Sequence, residues 1–179
     1  MRMAETPIRG AWLVDIEPRV DQRGFFARTV CADEFSRGGL NSTFVQQSIS
    51  FNADKGIVRG LHYQAGPHAE EKLVRVTQGE IWDVIVDLRP HSPTFRQWHG
   101  VILSAANRRA IYIPQGVAHG FQTMAASSEV FYQMTVAYCE PAARGVHWRD
   151  PGFDIAWPDP DGAIISPRDR DYTNFEMSE

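Results

Sequence analysis

The sequence predicts an all-β fold, a barrel or sandwich of short antiparallel strands with a few short helices. Three observations predict it. Runs of alternating apolar and polar residues recur along most of the chain, the signature of half-buried strands. The 14 glycines and 11 prolines are spread between those runs as punctuation. Only one early stretch, Ala32 to Arg37, reads as a helix, and Gly38-Gly39 ends it. Many short strands with frequent turns make a sandwich or barrel.

The elements follow in order. A turn at Asp21-Gln22-Arg23-Gly24 leads into a strand from Phe25 to Val30. Phe44 to Phe51 is the next strand, and Ile57 to Tyr63 follows, entered through Gly56. Glu71 to Thr77 alternates, with Lys72, Val74 and Val76 on one face. Gly79 turns the chain into Glu80 to Leu88, so the two runs read as a hairpin. In the second run Trp82, Val84, Val86 and Leu88 share one face; Ile81, Asp83, Ile85 and Asp87 share the other. Further strands are Trp98 to Leu103, Ala110 to Ile113 and Glu129 to Ala137, the last with Val130, Tyr132, Met134 and Val136 on one face. The polar tail from Ser166 has room for one helical turn.

Composition bounds the class. The 179 residues suffice for one domain with a real core, so a single domain over 1–179 is expected. A hydrophobic fraction of 43% with 22% charged residues is that of a soluble globular protein. The net charge is -4 and no basic run occurs, which argues against a nucleic-acid partner. Residues 1–14 carry Glu5 and no apolar core of a signal peptide, and no stretch is long enough to span a membrane. Cys31 and Cys139 lie far apart without a CxxC pair, consistent with two thiols in a reducing compartment. The expected location is the cytoplasm, with no membrane partner.

Three segments hold chemistry-bearing residues: Arg59-Gly60-Leu61-His62-Tyr63-Gln64, Glu71-Lys72-Leu73-Val74-Arg75-Val76, and the turn Pro114 to Phe121 that contains His119. A cation, an imidazole and a lysine together suit a substrate that carries phosphate and a carbonyl. His62, His68, Glu71 and His119 loosely echo the ligand pattern of metal-binding cupin barrels. Those barrels hold two histidines two apart on one strand, where alternation aims both inward. His62 and His68 do not have that spacing, so a metal site is not expected. His68 and His91 read as exposed loop residues.

At this point the chain is similar to a known family. The segments DQRGFF, GIVRGLHYQ, EKLVRVTQGEIWDVIVDLR, SPTF, YIPQGVAHGF, DPGFDIAWP and SPRD, with Tyr132 and Tyr138, resemble the dTDP-4-dehydrorhamnose 3,5-epimerase family in the right order from Asp21 to Asp169. The resemblance implies a double-stranded β-helix, a cupin-like jelly roll, working as a homodimer on a nucleotide-linked 4-keto-6-deoxyhexose with no metal or organic cofactor. It implies that His62 is the catalytic base, Asp169 its carboxylate partner, Lys72 the cation beside the sugar carbonyl and Tyr132 the acid on the opposite face. It places Arg23, Phe26, Gln47, Arg59 and His119 among the groups that bind the nucleotide-sugar, Asp83 near the base, and Tyr138 in the nucleotide region. Arg23 and Phe26 are expected to reach the partner subunit's site.

The residue types fit the chemistry. Epimerisation beside a ketone removes a proton and returns one to the other face, through an enolate. Histidine suits the abstraction. A carboxylate behind it fixes its tautomer. A lysine ammonium stabilises the oxyanion, and a tyrosine can return the proton. Each residue also has a plain reading: a hydrogen-bonded histidine, a core tyrosine beside Val130, a surface aspartate. An inward lysine is the least plausible as mere packing, because burying its charge is costly. Asp171 competes with Asp169 as the partner of His62.

The sequence departs from the family's pattern at Arg28, where a glutamate is usual, and at Ile49 and Phe51, near the expected nucleotide side. That leaves open a CDP- or GDP-sugar and epimerisation at C3 or C5 alone. Two other classes are a sugar-nucleotide 3,4-ketoisomerase and a non-catalytic sugar-binding cupin. The joint presence of His62, Lys72 and Tyr132 argues against the latter.

Overall fold

The computed structural model describes residues 1–176; the last three positions of the expected domain lie outside them. Its strands are β1 (Arg2–Glu5), β2 (Trp12–Asp15), β3 (Arg19–Asp21), β4 (Gly24–Phe26), β5 (Gln46–Asn52), β6 (Ile57–Gln64), β7 (Lys72–Gln78), β8 (Glu80–Asp87), β9 (Trp98–Ser104), β10 (Ala110–Ile113), β11 (Val117–Thr123), β12 (Ser128–Met134), β13 (Ala143–Gly145) and β14 (Ile164–Ile165). Two short helices, α1 (Ala32–Arg37) and α2 (Pro167–Arg170), complete the regular structure with a 3-10 turn at Glu140–Ala142. No helix among the described residues is long and apolar enough to cross a membrane.

Two sheets form the body. One runs β1-β2-β10-β7-β12-β5, the other β13-β6-β11-β8-β9 with β14 joined in parallel to β6. From β5 to β12 the chain passes back and forth between the sheets, with β8 and β9 the one consecutive pair in the same sheet, the double-stranded β-helix arrangement of a jelly roll. Between the sheets lies a core to which Val74, Val76, Ile111 and Val130 contribute from one side and Ile81, Ile85, Leu103 and Phe121 from the other. A second cluster, with Leu61, Val84, Val86, Trp148 and Trp157, covers the outer face of the β6 sheet.

This topology corrects one expectation. β7 and β8 are not a hairpin: β7 pairs with β10 and β12, whereas β8 pairs with β11 and β9. A single residue, Gly79, separates them, too little for a hairpin loop, so the chain turns a corner from one sheet to the other. Gly79 has φ +74, and a Cβ there would meet Ser128 Oγ at 2.4 Å. β8 is buried on both faces, with Val84 and Val86 in one cluster and Ile81 and Ile85 in the other, and it carries the buried Asp83 and Asp87 among them.

Two strands end earlier than the alternation predicts. β4 stops at Phe26, because it pairs only with β3 in an isolated two-stranded sheet. β12 stops at Met134, where its pairing with Gln46 of β5 and Lys72 of β7 runs out. The helix α1 has the predicted bounds, with Asp33 and Glu34 in its first turn and Arg37 in its last.

Asp87 closes β8 and anchors the following loop. It accepts hydrogen bonds from the Arg89 backbone N–H at 3.0 Å, the Arg89 guanidinium at 2.8 Å, and the hydroxyls of Ser92 and Thr94. Burial pushes its pKa up, but these donors outweigh it and hold the carboxyl at about 2.

Candidate active site

The two sheets open into a cleft with two lobes. The outer lobe, about 240 Å³, is lined among others by Tyr63, Glu70, Tyr138, Arg144, Arg168 and Tyr172. The inner lobe, also about 240 Å³, is lined by Ser50, Arg59, His119 and Phe121. His62, Lys72 and Tyr132 line both lobes and so mark the waist between them.

His62 enters this waist through an irregularity in β6. Strict alternation would put Arg59 and His62 on opposite faces, since they are three apart. The register against β11 slips between His119 and Phe121, so that His62 faces His119 while Arg59 faces Phe121. This bulge brings both side chains to the cleft side. Gly60 makes it possible: its φ is +116, and a Cβ would lie 2.6 Å from Gly120 Cα and 2.7 Å from the His119 carbonyl oxygen.

The partner of His62 is Asp169. Its Oδ1 lies 2.8 Å from His62 Nε2, and its Oδ2 accepts the Gly60 N–H at 3.1 Å. The single turn of α2 aims it inward: Ser166 caps the helix by accepting the Asp169 N–H, and Pro167 occupies the first helical position. Asp169 is buried and Asp171 is exposed, which decides between them. Burial pushes the Asp169 pKa up, but the hydrogen bond and charge of His62 and the Gly60 N–H bring it below the ordinary value. Asp169 is therefore an ionised acceptor. The His62 nitrogen that faces it carries the proton, leaving Nδ1 as the basic nitrogen. Tyr172 packs edge-on against the His62 ring, with centroids 5.8 Å apart.

Lys72 and Tyr132 come from the opposite sheet, on adjacent strands β7 and β12. Their faces are those the alternation predicts, shared with Val74 and Val130. Lys72 Nζ lies 2.9 Å from Glu70 Oε1. The Tyr132 hydroxyl is raised above its ordinary pKa, first by burial and then by the Asp83 charge, with Arg59 acting in the other direction. It holds its proton throughout the physiological range.

The remaining expected residues divide. Arg59 lies in the inner lobe, its Nε bonded to the buried Asn52 Oδ1 at 2.7 Å. His119 is there too, but its ring nitrogen Nε2 is 2.6 Å from Asp83 Oδ2. Asp83 thus pairs with His119, not with His62, and stands behind the inner lobe. Tyr138 lines the outer lobe. Gln47 is not in the cleft of its own chain: it shares the exposed face of β5 with Ile49 and Phe51, while Ser50 on the other face lines the inner lobe. Arg23 and Phe26 also lie apart, on the β3–β4 hairpin, where Arg23 pairs with Asp21 and Phe26 is 69% exposed. Arg28 sits beside Glu34, away from the cleft.

Sequence reasoning missed Ser50, Asn52, Glu70, Arg168 and Tyr172. Ser50 and Asn52 alternate on the inward face of β5, a signal that was available. Tyr172 had none, because its place depends on the docking of the tail. Among the described residues, no three side chains of histidine, cysteine, aspartate or glutamate converge as a metal-binding group. Cys31 and Cys139 are free thiols.

A jelly roll that sets a carboxylate-backed histidine on one sheet against a lysine and a protonated tyrosine on the other defines an acid–base isomerase. The chain belongs to the dTDP-4-dehydrorhamnose 3,5-epimerase family, whose sequence model matches residues 5–177. It is 45% identical over 162 residues to the dTDP-4-dehydrorhamnose 3,5-epimerase of Pseudomonas aeruginosa, covering 89% of this chain and 88% of that protein. Its fold superposes on the crystal structure of the Bacillus anthracis epimerase with TDP and pyrophosphate bound, with a TM-score of 0.93 and 40% identity over 97% of this chain and 99% of that one. The dTDP-6-deoxy-D-glucose-3,5-epimerase of Legionella pneumophila in complex with dTDP-4-keto-L-rhamnose gives a TM-score of 0.90 at 37% identity, covering 97% and 92% of the two chains.

Proposed function

We propose that the chain epimerises a dTDP-linked 4-keto-6-deoxyhexose at C3 and C5, in the formation of a deoxysugar. One observation carries the reading: the candidate base stands on one sheet and the candidate acid on the other, with the lysine between the two lobes. A sugar ring lying between them presents opposite faces to base and acid.

His62 Nδ1 removes the proton next to the ketone, and Asp169 stabilises the imidazolium formed. The electron pair of the C–H bond moves onto the C4 oxygen, where the Lys72 ammonium meets the charge. The enolate collapses to the ketone by taking the Tyr132 proton on the other face, which inverts the carbon. The Tyr132 phenolate then regains a proton from solvent and His62 returns its own, so the enzyme is restored. Arg59, His119 and Tyr138, with the outer-lobe cations Arg144 and Arg168, supply the charge and hydrogen-bonding groups that a nucleoside diphosphate requires.

The chain acts as one domain over 1–179 in the cytoplasm, and as a homodimer. Two features support the dimer. Val20, Phe25 and Phe26 on the β3–β4 hairpin, and Val45, Ile49 and Phe51 on or beside the edge strand β5, leave an apolar surface uncovered. Gln47, Arg23 and Phe26 are apart from their own chain's cleft and would serve a partner subunit's.

The test is solvent deuterium exchange into dTDP-4-keto-6-deoxyglucose, followed by NMR. Label at C3 and C5 with inverted product is expected. Label at one carbon only would reduce the activity to a mono-epimerase. Isomerised ketone would mean a ketoisomerase, and no label at all would leave a binding protein.

A further inference from the structure

The proton transfers leave one cleft carboxylate unused. Glu70 lines the outer lobe with its side chain only 7% exposed, and its Oε1 is 2.9 Å from Lys72 Nζ. It directly precedes an anchored stretch of chain. The next residue, Glu71, donates its N–H to Thr135 Oγ1 at 2.9 Å, and its carbonyl accepts the Thr135 N–H at 3.1 Å. Glu70 thus lies two residues before β7, next to this anchored entry to the strand.

A carboxylate in this place works against the lysine. Its charge offsets the field that the ammonium exerts on a developing oxyanion, and a buried carboxylate is costly to keep. Ion pairing alone relieves the second cost and not the first. What the pair presents to the cleft is a donor, the ammonium, one hydrogen-bond length from an acceptor-only group. An α-hydroxyketone carries the complement of this pair: an accepting carbonyl oxygen, and on the adjacent carbon a hydroxyl that can donate. The two oxygens are themselves about a hydrogen-bond length apart.

We propose that Glu70 is a specificity residue that accepts a hydrogen bond from the C3 hydroxyl of the sugar while Lys72 donates to the C4 ketone, so that the site selects α-hydroxyketone sugars over their 3-deoxy counterparts. This rests on the reading of Lys72 given above. A site built to bond a hydroxyl discriminates strongly against the analogue that lacks it, because the buried acceptor loses its partner.

The experiment compares two dTDP-linked 4-keto-6-deoxy sugars, one with the C3 hydroxyl and one without, in the wild type, Glu70→Ala and Glu70→Gln. Exchange of the C5 proton with deuterium, which both sugars can undergo, gives kcat/KM for each. The wild type is expected to prefer the hydroxylated sugar by roughly ten- to a hundredfold, the range for a hydrogen bond to a charged group. Glu70→Ala should bring that ratio to within about threefold, and Glu70→Gln, which keeps an accepting oxygen, should fall between. Equal slowing of both sugars with the ratio unchanged would overturn the proposal and leave Glu70 acting only through Lys72. If Glu70→Ala exchanges neither sugar, calorimetric affinities for the two decide it: a collapsed ratio upholds the proposal and an unchanged ratio defeats it. A wild-type enzyme that exchanges protons of neither sugar would defeat the epimerase reading itself, and with it the role of Glu70.

Discussion

His62 Nε2 and Asp169 Oδ1 are 2.8 Å apart across 107 residues of chain. The contact fixes which ring nitrogen is free, because an ionised carboxylate only accepts. Asp169→Asn replaces that acceptor with an amide that can also donate, and so admits the wrong imidazole tautomer. kcat should fall about a hundredfold or more. Asp171→Asn, two residues on and exposed, should stay within about twofold, since surface changes of this kind are nearly neutral. Steady-state kinetics of the two variants side by side test the pairing; equal losses would remove it.

Tyr132→Phe should separate the halves of the reaction. Abstraction needs His62 and Lys72, so exchange of substrate protons with solvent should continue. Inverted product should drop by about a hundredfold or more, as for a lost general acid. The ring keeps its volume among Val130 and its neighbours, which protects the fold. Deuterium incorporation and product formation followed together give the answer, and undiminished inversion would return Tyr132 to a packing role.

Gly60→Ala should cost stability as well as activity. The new methyl would meet Gly120 Cα at 2.6 Å at a φ of +116. Overpacking and backbone strain of this kind cost roughly 2–5 kcal/mol together. The shift that relieves the clash also moves the N–H that holds Asp169. Urea unfolding should show a lower midpoint, and kcat measured under conditions where the variant is still folded should be reduced. Wild-type kcat in the folded variant would mean that the bulge does not set the His62–Asp169 geometry.

Asp87 gives a pH signature unrelated to catalysis. Its folded pKa of about 2 lies below the unfolded value of about 3.9. A depressed carboxylate stabilises the fold above the unfolded pKa, and that stabilisation disappears as pH falls from about 4 through about 2. The difference is worth roughly 2 kcal/mol. Asp87→Asn should therefore lower stability at neutral pH by about that amount and flatten its dependence on pH in the acid range. Denaturation midpoints taken between pH 7 and pH 2 measure both effects.

The dimer is tested by light scattering, where about twice the 20.2 kDa chain mass is expected. Phe26→Asp, placing a charge on the uncovered hairpin, should weaken association and reduce activity together. A fully active monomer at assay concentration would refute a shared site.

Much of this was legible in the sequence, and the exceptions have a common cause. Period-two alternation placed Lys72, Val74 and Val76 on the inward face of β7, and Tyr132 beside Val130, because each of those strands keeps regular pairing. The helix α1 was bounded by its own glycines. What alternation could not show was which strands are neighbours. The Gly79 turn reads as a hairpin locally, and only the two-sheet topology makes it a corner. Parity also failed at Arg59 and His62, where the bulge at Gly60 resets the faces. The pairing of Asp83 with His119 was hidden because both lie on inner strands whose adjacency comes from β8 and β11 being brought together across the fold.

If His62 and Tyr132 act as the proposed base and acid, their division between two sheets makes the hydrophobic layer a calliper. Val74, Val130, Ile85 and Phe121 set the distance that a proton donor and a proton acceptor keep on either side of a sugar ring. Interiors are packed too tightly for that distance to drift freely. Trimming Ile85 to valine, a core residue that lines neither lobe, would let the jaws settle by a fraction of an ångström. Under the proposed mechanism, which of the two carbons flanking the ketone is inverted first then depends on how thick the core is, as much as on which residues touch the sugar.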